Sequence, residues 1–186
     1  MTYKLSRIEV FMKVTGNDLI LALEQHKFRL DALKQEFNDC LHAFPGEVKR
    51  APEEVMKEIV TEETSVAFLQ SAQAEYNSKV KVTVTGRGIP EETLRLSEAI
   101  KMAGAIERVH AMWKAATLDK SPGHRYFDSE LVRDPNQVRA SRTLDVRVAN
   151  EKAAYTKLYQ RAIRGAISVA NRLTVELENL EPSLLD

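Results

Sequence analysis

The chain has 186 residues, 44% of them hydrophobic and 29% charged, which excludes wholesale disorder and leaves room for one domain with a real core but not for two large ones. Seven glycines, six prolines and 6% aromatic residues make for few turns and a core of Leu, Ile, Val and Ala, favouring long packed helices over a β-sandwich. A single cysteine excludes an internal disulfide, and a formal net charge of zero argues against a general nucleic-acid binder.

In chain order, Ile8, Val10, Met12 and Val14 alternate with Glu9, Phe11 and Lys13, a period of two that predicts a strand over 6–14. Thr15-Gly16-Asn17-Asp18 supplies a turn and an N-cap for a first helix over about 18–42. Leu19, Leu23, His26, Leu30, Leu33, Phe37 and Cys40 mark a heptad seam along it, with His26 as a polar intruder. The link Ala43-Phe44-Pro45-Gly46 stops that helix. Pro52, Glu53 and Glu54 open a second helix over 52–77, whose stripe of Val55, Ile59, Val66, Leu69 and Tyr76 is interrupted by Glu62 and Glu63.

Val80, Val82 and Val84 predict a strand over 79–85, ended by Gly86-Arg87-Gly88. Two isolated strands are marginal in water, so the two predicted here are expected to pair with each other or across a subunit boundary. Pro90, followed by Glu91 and Glu92, is read as the start of a third helix over 90–117. Its seam is Leu96, Ile100, Ala103, Ile106, His110 and Trp113, and Ala99, Ala103, Gly104, Ala105 and Ala111 form a small-residue surface that admits close approach of another helix. Residues 118–140 form a polar connection containing Ser121-Pro122-Gly123 and Asp134-Pro135-Asn136, an uncommon length for a compact domain. A fourth helix is expected over 143–180, spanning about 55 Å at ~1.5 Å per residue. Its seam reads Leu144, Val148, Tyr155, Leu158, Ala162, Val169, Leu173 and Leu180, widened by Ile163, Ile167 and Ala170.

The predicted fold is mainly α: an antiparallel long-helix bundle or coiled coil of four helices with a small two-stranded β element, in a single domain over 1–186. Leu30, Leu33, Leu158 and Val169 are expected in its core. No apolar run exceeds Leu19–Leu23, too short to cross a bilayer, and no signal-peptide pattern opens the sequence, so a cytoplasmic location is expected.

Charge is unevenly spread. Residues 1–119 carry 16 basic and 18 acidic side chains, residues 120–172 carry 11 basic and five acidic, and the last 14 carry four acids and no base. A basic segment between acidic ones points to complementary self-association or to a local anion site. The candidate anion ligands are His124, Arg125, Tyr126, Arg133, Arg139, Arg142 and Arg147, since arginine forks bind phosphates and carboxylates bidentately and Tyr126 offers a stacking face. Arg125, Arg139 and Arg142 are expected to line a cleft near the start of the fourth helix, whose dipole would add to the site.

Other motifs are weaker. Gly86-Arg87-Gly88, read as lying between a strand and a helix N-terminus, lacks the spacing of a Walker or dinucleotide loop and fits a tight turn better. Cys40 and His42 have no visible orienting partner, and Cys40 sits on a seam. Glu107-Arg108-Val109-His110 is one Glu-x-x-His unit where a di-metal site requires two. His26 and His110 both fall on seams, where a hydrogen-bonded core histidine is the commoner explanation; the alternative is that they face each other across the bundle and set its register or respond to pH. No cofactor or metal is implied.

The stretch from about Pro52 to Glu178 resembles an uncharacterised bacterial helical family sometimes labelled septicolysin. The resemblance lies in the order Tyr76-Asn77, a Gly-containing loop, Thr93-Leu94-Arg95-Leu96-Ser97-Glu98-Ala99-Ile100, Arg125-Tyr126 followed by Ser129-Glu130, and Thr143-Leu144-Asp145-Val146. It implies an antiparallel helical coil and no particular activity; the strand at 6–14 and the valine ladder depart from the pattern.

The function expected from these features is a non-enzymatic oligomeric helical interaction or assembly protein whose partner is itself, with neither a membrane nor nucleic acid involved. The alternative is a binder that sequesters a small anionic ligand, such as a nucleotide, through the Arg-rich segment 124–147.

Overall fold

The fold is a computed structural model describing residues 11–42, 44, 47, 49–118, 144–178 and 180–185. It is mainly α, with four long helices and two small antiparallel sheets in the order β1 (Phe11–Thr15), α1 (Gly16–Cys40), α2 (Pro52–Lys79), β2 (Lys81–Gly86), β3 (Ile89–Arg95), α3 (Leu96–Thr117), α4 (Val146–Ala170) and β4 (Thr174–Glu178). A short 3-10 turn, Pro182–Leu184, follows.

Local chemistry sets the helix starts. Thr15 caps α1 reciprocally: its Oγ1 accepts the Asp18 N–H at 3.2 Å while Asp18 Oδ2 accepts the Thr15 N–H at 2.9 Å. Pro52 occupies the first turn of α2, where its missing N–H costs nothing, and Glu53 and Glu54 face the positive end of the helix dipole. Asp145 caps α4 by accepting the Arg147 N–H at 2.7 Å.

The helices form two antiparallel pairs. α1 packs along α2 and α3 along α4, whereas α1 makes no extensive contact with α3 or α4 among the described residues. The pairs meet at a base built from the first turn of α1, the last turns of α2 and α4, the start of α3 and the two sheets. Tyr76, Leu19, Leu69, Leu96, Ile163, Leu177, Val14, Val55 and Val84 are the largest fully buried side chains, and most of them lie at this base. At the far end of the first pair, Lys49 Nζ donates to the Asp39 and His42 carbonyls at 2.7 Å each, satisfying the open end of α1. Arg50 bridges Glu36 at 3.2 Å and also Glu58.

Three expectations about element bounds and pairing are corrected. First, residues 89–95 form a strand and α3 begins only at Leu96. The valine ladder needs a neighbour, and the nearest is the chain just beyond the Arg87-Gly88 turn: Val82 lies opposite Leu94, Thr83 opposite Thr93 and Val84 opposite Glu92, with the two threonine hydroxyls 3.2 Å apart. Second, α4 ends at Ala170 and residues 174–178 form β4, in which Val175 and Leu177 turn inward between exposed residues. Third, the two predicted strands do not pair with each other; β1 pairs with β4, from Phe11 opposite Glu178 to Thr15 opposite Thr174.

The expected core is half right. Leu30 is buried and Leu33 packs against the core, but Leu158 and Val169 are 48% and 64% exposed. The inward face of α4 runs through Ala149, Thr156, Ile163 and Ala170: Ile163 and Ala170, expected to widen the seam, are buried, and Ala162 and Ile167 pack against the core, whereas Tyr155, Leu158 and Val169 of the seam itself are exposed. Ala149 and Thr156 stand one residue, about 100° of helix, from Val148 and Tyr155 of the predicted seam.

Candidate functional site

Of the predicted anion ligands, His124, Arg125, Tyr126, Arg133, Arg139 and Arg142 lie outside the described residues. Arg147 is exposed in the first turn of α4, where its backbone N–H is already engaged by the Asp145 carboxylate. The dipole end that was to serve the anion therefore carries its own acid.

Gly86-Arg87-Gly88 does not precede a helix. It is the tight connection of the β2–β3 hairpin, with Gly88 at φ 74°, and it precedes a strand, so no helix N-terminus stands there to hold phosphate. Cys40 is half-buried against the core and His42 is exposed. Glu107 pairs with Arg164 at 3.0 Å on the surface, while His110 Nδ1 donates to the Ala153 carbonyl at 3.1 Å and lies 3.2 Å from Thr156 Oγ1. Among the described residues, no group of three or more His, Cys, Asp or Glu side chains is placed to hold a metal ion.

His26 and His110 do not face each other; each serves its own helix pair. His26 lies 2.6 Å through Nδ1 from Glu62 Oε2, so the polar intruder on α1 meets one of the two on α2, the other, Glu63, accepting from Lys34 Nζ at 2.8 Å on the surface. This buried pair fixes the register of α1 against α2, because a shift of either helix would leave one group unpartnered. Glu62→Leu should cost about 1–3 kcal/mol by stranding the His26 imidazole. The double change His26→Leu with Glu62→Leu should recover most of that, as two apolar side chains fill the gap. Chemical denaturation of the three variants checks this, and a double variant no better than Glu62→Leu would refute it.

Among the described residues, large apolar side chains stand exposed on the outer faces of all four helices, including Leu21 and Phe28 of α1 and Val109 and Met112 of α3, and two of these faces carry several such side chains in a row. On α4, Tyr155, Leu158 and Val169 of the predicted seam are exposed and Gly165 is open on its Cβ side, with Leu173 exposed just beyond the helix end, while Ala162 of the same seam packs against the core. On α2, Met56, Val60 and Phe68 are exposed on the side away from the core. Two shallow hollows run along that side: one of about 460 Å³ lined by Val60, Glu63, Thr64, Ala67, Phe68 and Ser71, and one of about 350 Å³ lined by Phe37, Pro52, Glu53 and Met56. The α2 face was missed in the sequence because its residues recur every four positions beside a stronger inward stripe.

The two helix pairs also carry opposite charge. α1 and α2 together hold eleven acidic and five basic side chains, whereas α3 and α4 hold three acidic and eight basic. Much of the basic excess of residues 120–172 thus belongs to the exposed surface of α4, where Arg147, Lys152, Lys157, Arg161 and Arg164 face only Glu151 within the helix.

No family profile matches the chain, and neither does any curated protein. A solved structure does: a functionally unknown conserved protein from Corynebacterium diphtheriae superposes with a TM-score of 0.67, over 88% of this chain and 99% of that one, at 17% identity. The two chains share a fold. No helix among the described residues is long and apolar enough to cross a membrane.

Proposed function

We propose that this protein is a non-enzymatic helical assembly protein that associates with itself through the outer faces of its helices. The observation that carries this reading is the exposed heptad on α4. Tyr155, Leu158 and Val169 are exposed on α4 while Ala149, Thr156, Ile163 and Ala170 are buried and Ala162 packs against the β2–β3 hairpin, so among the described residues the helix presents apolar side chains beyond those its own chain covers. A helix needs one apolar stripe to join a core; a second, at heptad spacing, suits a helix with neighbours on two sides.

Sedimentation velocity at micromolar concentration is the direct test. The expected species is larger than the 21.0 kDa chain, and Leu158→Glu with Val169→Glu should return it to the monomer mass without loss of helicity. A wild-type protein that sediments as a monomer at tens of micromolar would overturn the reading.

A further inference from the structure

We infer that the acidic outer face of α2 is the docking groove for the basic outer face of α4 from a second copy of this chain, the contact being made twice about a two-fold axis. This deepens the self-association reading and rests on it.

The two faces match in three independent respects. Their lengths agree: from Met56 to Ser71 is about 23 Å along α2, and from Tyr155 to Val169 about 21 Å along α4. Their relief is complementary, because Thr64, Ala67 and Ser71 make α2 a hollow of about 460 Å³, while α4 projects Tyr155 and Leu158. Their charges are opposite: Glu53 and Glu63 line the α2 hollows, Glu63 at the same time accepting from Lys34 Nζ of α1 at 2.8 Å on the surface, and Arg147 and Arg161 stand exposed one heptad position to the side of the α4 seam.

Charge also argues against each face pairing with its own kind. An α2·α2 contact would oppose two helices that each carry six acids and two bases, and an α4·α4 contact two that each carry five bases and one acid. Such like-charge juxtaposition disfavours the wrong partner, whereas the crossed pairing sets the net acidic helix against the net basic one. Closure selects the two-fold arrangement. A single α2·α4 contact leaves one groove and one seam open and propagates into a filament, but a reciprocal pair uses both faces of both copies and stops at the dimer. It also doubles the buried area, which a single helix-on-helix contact would leave below the ~1,200–2,000 Å² of a stable interface.

Charge exchange tests this. One variant carries Glu53→Lys with Glu63→Lys, and a second carries Arg147→Glu with Arg161→Glu. Each alone places like charges at both contacts of its homodimer, so each dimer dissociation constant should rise at least about tenfold over wild type. Mixed one to one, the two variants should form a heterodimer with near wild-type affinity, because one contact pairs Lys with Glu and the other pairs the native Glu with the native Arg. A chain carrying all four substitutions should likewise dimerise on its own. Affinities are read by sedimentation equilibrium, and circular dichroism checks that each variant is folded. If wild type dimerises while the reversals have no effect, or if mixing fails to restore the dimer, the crossed pairing is wrong and self-association through other faces stands. A monomeric wild type removes both. Should one double variant fail to fold, the other double variant and the four-substitution chain decide the matter together: loss of the dimer in the first and its return in the second require the exchanged charges to meet, and a dimer in both, or in neither, refutes the crossed pairing.

Discussion

Tyr76→Ala should cost about 3–5 kcal/mol of stability, and Tyr76→Phe about 1–3 kcal/mol. Tyr76 is fully buried at the base, and its hydroxyl donates to the carbonyl oxygens of Ala170 at 2.8 Å and Leu173 at 2.7 Å, where α4 gives way to β4. The phenylalanine variant keeps the ring and isolates the hydroxyl, whose loss strips the two carbonyls of their shared donor. Neighbours leave the ring no freedom to move: a Cβ on Gly16 would stand 2.8 Å from Tyr76 Cε1 and 3.1 Å from the Asn171 backbone, so only glycine lets the start of α1 lie against this ring. Burial raises the Tyr76 hydroxyl above its ordinary value of 10.0. The folded chain therefore holds that proton more tightly than the unfolded one, and the contribution, complete below pH 10.0, is lost as pH rises through the folded value. Urea titrations at neutral and alkaline pH should give Tyr76→Phe a shallower alkaline decline than wild type. A neutral-pH loss below about 0.5 kcal/mol for Tyr76→Phe would refute the hydroxyl's role.

The second large effect separates the two faces of α4. Ile163 is fully buried, so Ile163→Ala should destabilise by about 2–5 kcal/mol. Leu158→Ala, at a position 48% exposed, should change the intrinsic stability of the isolated chain by no more than about 0.5 kcal/mol. Guanidinium unfolding at a concentration dilute enough to prevent association measures both. Equal losses at the two positions would place the inward face of α4 where the sequence pattern had it.

That slip shows what the sequence held and what it hid. The stripe of α2 was legible because Val55, Ile59, Val66, Leu69 and Tyr76 are large and point one way, and all five are buried. On α4 two heptads run side by side, and the larger residues belong to the outer one. The inner heptad sets Ala149, Thr156 and Ala170 beside Ile163, and at Thr156 the space is taken by His110 of α3, 3.2 Å away. β3 was hidden by Pro90, a good first helical residue that is equally at home at the edge of a two-stranded ribbon. β4 was hidden by Leu173 and Leu180, which continue a helical spacing across the alternating Thr174–Glu178. His26 and Glu62 were each seen as intruders on a seam, but pairing across two helices is a matter of register, which one helix at a time does not reveal.

The antiparallel pairing of β1 with β4 also has a bearing on the order in which the chain folds. α1 with α2, and α3 with α4, join segments close in sequence, so each hairpin can form from local encounters. Phe11 must instead find Glu178, and Tyr76 must find Ala170. The cost of closing such loops grows only logarithmically with length, but it falls due before the contacts that reward it. The base that unites the molecule is therefore the last part to assemble. Until it closes, the chain is two helix pairs joined through the locally formed β2–β3 hairpin, and the segments from Phe11 and from Glu178 are still apart.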